Sequence, residues 1–272
     1  MQSKEFIEYH NNGYKGFIRR GYHSKSFVEY LDNIEANIKD VVTHHYNTIP
    51  TDPAVRFPTD RMVTVVEVPM ADGTRKVLLK QDDFVRAFNF KKSFKSIFKQ
   101  SRGMKGWLAA NCLLDGFVLV PEPIAYIEKR GALRFKKGYF FMEYIEGSVT
   151  LADYLQDDVD RVRLLVQVGD LIRGLHELSC SHGDMKASNF LLKPDGDRHR
   201  LYMIDTEDVK CHKKINKKHR MKDLLRFIRS VPNVADQDMD MLLSGYGKNI
   251  KAVKENITPR ELRQFFYSEK RF

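Results

Sequence analysis

Apolar positions in this 272-residue chain change their period near the middle. In the first half the pattern alternates or runs in short apolar blocks. Met62–Val68 is rich in β-branched residues, Ala71-Asp72-Gly73 supplies a turn, and Arg75–Lys80 returns, which predicts a hairpin. Phe117–Val120, Ile124–Glu128 and Arg134–Ile145 predict further strands. One early stretch is helical: behind a Ser24 or Ser26 cap, Phe27, Leu31, Ile34, Ile38 and Val41 follow the helical period. Phe84–Leu114 predicts one or two more helices. Residues 1–23, with Gly13, Gly16 and Gly21 among aromatics, read as loop carrying short strands. Thr48–Asp60, with three prolines, reads as loop.

Beyond Ile145 the period becomes helical. Thr150–Leu155 predicts a short helix. Arg161–Leu178 predicts a long one, with Leu165, Val168, Ile172, Leu175 and Leu178 on one face. Phe190–Lys193 and Arg200–Ile204 predict two short strands around a Pro194-Asp195-Gly196 turn. Helices follow over Met221–Ile228 and Asp236–Leu243. A last one is opened by Thr258-Pro259-Arg260-Glu261, a capping box with proline at the first helical position.

Composition adds bounds. Apolar residues at 42% and aromatics at 11% suffice for a sizeable core and exclude wholesale disorder or a collagen-like chain. The three cysteines, Cys112, Cys180 and Cys211, are too few and odd in number for a disulfide scaffold. They predict a reducing, cytosolic setting with no visible role for the thiols. The longest apolar stretch, Trp107–Val120, is cut by Asn111 and Asp115, too short for a membrane span. The N-terminus has no apolar h-region, so no secretory signal is expected.

The net charge of +10 is local. Phe84–Lys105 and Val209–Lys222 each hold seven Lys/Arg and no Asp/Glu, so the rest of the chain is slightly acidic. Such segments suit nucleic acid, anionic lipid or a phosphorylated substrate. Three motif lookalikes fail on context. Gly16-x-x-x-x-Gly21 lacks the following Lys-Ser/Thr, Gly245-x-Gly247 lacks its third glycine and follows a helix, and His176-Glu177-x-x-Cys180 lacks the second His.

The strong signal is His182-Gly183-Asp184-Met185-Lys186-Ala187-Ser188-Asn189, directly after the long helix and before an apolar strand. Asp205 ends the strand after that. This order suits phosphoryl transfer. Asp184 would orient and deprotonate an attacking hydroxyl, Asn189 and Asp205 would hold Mg²⁺ through hard oxygens, and Lys186 could reach the transferring phosphate. The bland alternative is a turn in which Asp184 and Asn189 only cap backbone groups.

The stretch resembles the catalytic loop of the protein-kinase-like superfamily, in the H-G-D form of its small-molecule and atypical branches. Ser101-Arg102-Gly103-Met104-Lys105-Gly106-Trp107, Leu113, Gly116 and Val120-Pro121-Glu122-Pro123-Ile124-Ala125 resemble the lipopolysaccharide core kinase (Kdo/WaaP-type) family. So do Met142-Glu143-Tyr144-Ile145, Leu151-Ala152-Asp153-Tyr154-Leu155 and Arg220–Ser230. Members phosphorylate Kdo or heptose of the inner core. The resemblance runs from about residue 62 to 246.

It implies an α+β, bilobal protein-kinase-like fold, with a small β-rich N-lobe over 61–143 and a larger, mainly helical C-lobe over 144–272. Residues 1–60 form an extension packed on the N-lobe. It implies ATP and Mg²⁺ as cofactors, with Asp184 and Lys186 catalytic and Asn189 and Asp205 on the metal. Lys80 would pair the nucleotide phosphates, and Glu143 and Ile145 would lie in the hinge that meets the adenine. The acceptor would be a lipopolysaccharide core or other sugar, met at the inner face of the cytoplasmic membrane by a cytoplasmic, peripheral enzyme.

Two departures bear on this. Gly106 stands where a helix glutamate should pair Lys80, and no acid occurs from Phe84 to Asn111, so Glu67 or Asp82 pairs the lysine or it is idle. No glycine-rich loop precedes the first hairpin strand, and Asp205-Thr206-Glu207 lacks the usual glycine.

The aromatic-basic stretch around Lys91, Lys92, Lys95 and Lys99 suits an anionic membrane surface or a helix packed on the sheet. Lys213, Lys214, Lys217 and Lys218 suit a phosphate-rich acceptor or a solvated loop. No nucleic-acid module is recognisable, so nucleic acid is not called for. The alternatives are another small-molecule or atypical protein kinase, or a pseudokinase that only binds.

Overall fold

The computed structural model describes residues 5–39, 61–83, 100–131, 135–157 and 160–247. Contacts divide the chain into two compact units, residues 1–107 with 122–144, and 108–121 with 145–272.

The first unit is built on a six-stranded antiparallel sheet. Its strands are β1 (Phe6–Asn11), β2 (Tyr14–Arg19), β3 (Arg61–Met70), β4 (Gly73–Asp83), β5 (Pro123–Arg130) and β6 (Phe135–Glu143), in the order β1-β2-β5-β6-β4-β3. The predicted hairpin is β3–β4, with Met70 opposite Gly73. Residues 6–19, read as loop with short strands, are two full six-residue strands. β1 pairs with β2, and the inner partner of β2, β5, lies more than a hundred residues downstream and leaves no local signal.

Helix α1 (Lys25–Asp32) starts at Ser24, whose Oγ accepts from the Phe27 N–H at 3.2 Å. It lays Phe27 and Leu31 on one sheet face, Phe27 edge-on to Phe141 with centroids 5.9 Å apart. The single helix expected from Ser24 to Val41 breaks at Asn33 into α1 and the one-turn α2 (Ile34–Asn37). The Asn33 side chain donates back to the Glu29 carbonyl, a local bond that competes with helix continuation. The other face of the sheet carries Tyr126, Phe140 and Met142 against Met104 and Trp107. Those two lie on α3 (Arg102–Asp115). Residues 84–99 of the helical region expected over Phe84–Leu114, with their basic and aromatic side chains, and the last helix near Thr258 lie outside the described residues.

The second unit is mostly helical. Its elements are β7 (Val149–Thr150), α4 (Leu151–Tyr154), α5 (Arg161–Glu177), β8 (Cys180–Ser181), β9 (Phe190–Asp195), β10 (Arg198–Met203), β11 (Lys210–Cys211), α6 (Lys217–Ser230) and α7 (Asp236–Gly247). Of the α5 face predicted from period, Leu165, Val168, Ile172 and Leu175 are buried, with Leu164 beside them, while Leu178 is half-buried at the C-cap. A side chain at Gly169 would meet the Leu242 carbonyl oxygen at 2.1 Å, and one at Gly245 the Val166 oxygen at 1.9 Å. Glycine thus sets how closely α5 and α7 cross. At the start of α5, buried Arg161 grips Asp238 of α7 through Nε (3.0 Å) and Nη2 (2.7 Å).

Residues 117–120 form no strand: Val118 and Val120 are buried, but the only backbone bond from this stretch to β10 runs from the Met203 N–H to the Leu119 carbonyl. The cysteines are not idle either. β11 pairs with β8, placing Cys211 directly opposite Cys180, and the two are joined as a disulfide across 31 residues. Spacing could not show this, because the pairing depends on how the chain returns after β10.

Candidate active site

The loop between β8 and β9 is organised from beneath by one carboxylate. Asp223 of α6, 2% exposed, accepts from the His182 N–H at 2.9 Å and the Gly183 N–H at 3.3 Å. Its Oδ2 also meets His176 Nε2 at 3.2 Å, and His176 Nδ1 meets the Tyr246 hydroxyl at 2.9 Å. Burial alone would raise the Asp223 carboxyl. The His176 bond and the two loop N–H groups outweigh it and hold the group below the usual carboxylate range. Burial likewise pushes His176 below its ordinary value, so the imidazole is neutral at pH 7.

Gly183 has φ +78°, and a Cβ there would meet the Asp208 carbonyl oxygen at 2.9 Å. Only glycine turns the chain at this point without strain. His182 is fully buried, and its Nε2 donates to the Ile204 carbonyl at 2.8 Å, linking the loop to the segment that carries Asp205. Sequence reasoning missed Asp223 as the anchor, since it lies about forty positions downstream.

Asp184 is half-exposed, and its Oδ2 forms an ion pair with Lys186 Nζ at 2.9 Å. That bond, with the field of Asp205 and Asp208, raises the Lys186 ammonium above its ordinary value. Asn189 closes the loop: its Nδ2 donates to the Asp184 carbonyl at 2.8 Å, and its own carbonyl accepts from the Ile204 N–H at 2.9 Å. Asp205 follows with φ +59°, a left-handed residue that opens the 3-10 turn Thr206–Asp208. The second unit therefore brings Asp184, Lys186, Asn189 and Asp205 together. Asn189 Oδ1 and the Asp205 carboxylate are oxygens of the hard type that a Mg²⁺ ion takes. A cavity of about 460 Å³ lined by Val118, Leu171, Arg173 and Glu177 contains none of these residues.

In the first unit Lys80 is 5% exposed on β4, opposite Val63 and Phe140. Glu67 lies opposite Lys76 and Asp82 opposite Arg61. Glu143 ends β6, its N–H committed to the Glu122 carbonyl at 2.8 Å. Ile145, in the second unit, is buried, and its carbonyl accepts from the Ser148 hydroxyl at 2.7 Å. Gly106 is buried in α3. Lys213, Lys214 and Lys218 are exposed, between β11 and the first turn of α6. Lys91, Lys92, Lys95 and Lys99 lie outside the described residues.

Curated relatives match part of this chain. A 3-deoxy-D-manno-octulosonic acid kinase of Pasteurella multocida is 29% identical over 142 residues, covering 49% of this chain and 58% of its own. A Haemophilus influenzae protein of the same name is 33% identical over 119 residues, 43% of this chain and 48% of its own. The chain thus spans about half the length of the curated relatives it matches. The solved structure described as WaaP in complex with acyl carrier protein superposes with a TM-score of 0.58 at 21% identity, over 79% of this chain and 86% of that one. The fold is therefore the α+β, bilobal protein-kinase-like one that the sequence implied. The model of the lipopolysaccharide kinase (Kdo/WaaP) family matches residues 75–246, well over half of the chain, and the protein belongs to that family.

Proposed function

We propose that this protein is a kinase that transfers the γ-phosphoryl group of ATP to a sugar hydroxyl, Kdo or heptose, of the lipopolysaccharide inner core. One observation supports it above the rest: a single buried carboxylate, Asp223, orients a loop that presents Asp184, Lys186 and Asn189 beside Asp205. The Asn189 amide is fixed through Nδ2 on the Asp184 backbone carbonyl, which leaves Oδ1 as the end that could take a metal.

In this reading Asp184 accepts the proton of the attacking hydroxyl. Lys186, kept charged by that carboxylate, steers the phosphoryl oxygens. Asn189 Oδ1 and the Asp205 carboxylate would hold Mg²⁺, which when bound neutralises charge on the phosphates. Lys80 pairs the nucleotide phosphates, and the hinge residues Glu143 and Ile145 offer the adenine backbone groups. The exposed Lys213, Lys214 and Lys218 are suited to a phosphorylated acceptor. A membrane-held acceptor would be met at the inner leaflet by charge rather than by a span. Among the described residues no helix is long and apolar enough to cross a membrane.

The test is phosphate transfer from labelled ATP with Mg²⁺ to purified core lipopolysaccharide, free Kdo, free heptose and a protein panel. Label on the core sugar is expected. Label on protein or another small molecule alone would favour a different kinase class. No label with any acceptor would favour a pseudokinase, the reading that Gly106 suggests.

A further inference from the structure

The full chain contains three cysteines, and all three converge on one point. Cys112 lies on α3, Cys180 on β8 and Cys211 on β11, and their sulfurs all lie within 4.8 Å of one another. All three belong to the second unit. The disulfide joins Cys180 and Cys211 and leaves Cys112 beside it as an exposed free thiol. A bond between two strands explains two of the sulfurs, not the third.

We propose that in the reduced protein Cys112, Cys180 and Cys211 are the three thiolate ligands of one soft divalent cation of the zinc class. Tetrahedral zinc with sulfur at about 2.3 Å sets ligand sulfurs about 3.8 Å apart, within the present cluster. A solvent molecule takes the fourth position. The chemistry balances with a cellular thiol reductant: two electrons and two protons convert the disulfide to two thiols, and the cation then displaces up to three thiol protons.

Thiol–disulfide exchange by Cys112 is the weaker use of this geometry. Although the residue is exposed, partial shielding of its sulfur, and then the nearby Asp115, push the thiol up, so at neutral pH it is a poor nucleophile. A metal removes that proton outright. The site would fasten α3 to the two strands that bracket the loop segment, since His182 follows β8 and β11 follows the Asp205 turn.

The proposal rests on the kinase reading only for its compartment: an enzyme that consumes ATP works where thiols are kept reduced. Its test needs no substrate, so failure of the kinase reading leaves it standing. Full-length protein purified under thiol reductant is stripped with chelator and titrated with zinc, then with cobalt to read thiolate-to-metal charge-transfer bands. One metal per chain is expected. Cys112→Ser changes an exposed residue outside the disulfide, so a fold change is readily excluded by circular dichroism. It should weaken zinc binding by more than the roughly 10–100-fold that loss of an outer-shell partner costs. Oxidation that restores the Cys180–Cys211 bond should release the metal. Either of two results overturns the site: reduced wild type binding no zinc, or Cys112→Ser binding it as tightly as wild type.

Discussion

At Asp223 one buried carboxylate supports the loop backbone and also faces a neutral histidine, which makes local charge a condition of the fold. An unfolded histidine takes its proton near pH 6.5. In the fold His176 lies below that value, so between the two values the unfolded chain binds more protons and stability falls as pH drops. Asp223 has the same sign at lower pH: its contribution is full above the unfolded carboxyl value and is lost as pH falls through the depressed folded one. The thermal midpoint should therefore decline from about pH 7 to about pH 5. His176→Gln should lower stability at neutral pH and flatten that decline. An unchanged slope in the variant would remove His176 from the account.

Residue-scale chemistry was legible where the partners were local. His182 to Asn189 identified themselves by type and spacing. Asp223, Tyr246 and the Cys180–Cys211 pairing did not, because each acts on a residue at least 31 positions away.

Among elements, the α5–α7 crossing depends on two absent side chains. Gly245 looked like part of a failed nucleotide motif, yet its place is set by the Val166 carbonyl, which backbone rigidity keeps from yielding. Gly247, two residues on, has nothing within reach. Gly245→Ala should destabilise by about 1–3 kcal/mol, the usual cost of overpacking, whereas Gly247→Ala should be close to neutral. Urea unfolding of the two variants is the comparison; equal midpoints would mean the helices can separate without cost. The β3–β4 hairpin and α5 were readable because period and turn chemistry agree within each segment. β1 and β2 were only half readable, since the pair is short and is tied to the sheet through β2 and the distant β5. The apolar run 117–120 misled for the opposite reason: Phe117 is exposed and left-handed, and Val118 and Val120 are buried without a ladder.

For the whole molecule the positive charge has a chemical reading. Two segments carry more than the entire excess, and the one described, over 209–222, begins beside β8 and the loop that follows it. A phosphorylated acceptor suits such a surface, and salt should weaken its capture, exposed charges being screened over about 10 Å at 0.1 M. The family match from 75 to 246 covers this segment and the loop together.

The central claim is that Asp184 makes this chain an active phosphotransferase. The direct measurement is turnover of labelled phosphate onto purified core lipopolysaccharide by wild type and Asp184→Asn, with ATP affinity measured in parallel. General-base loss costs about 10²–10⁴-fold, so the variant should lose that much turnover while its ATP affinity stays nearly unchanged. A variant that transfers phosphate at the wild-type rate would contradict the account.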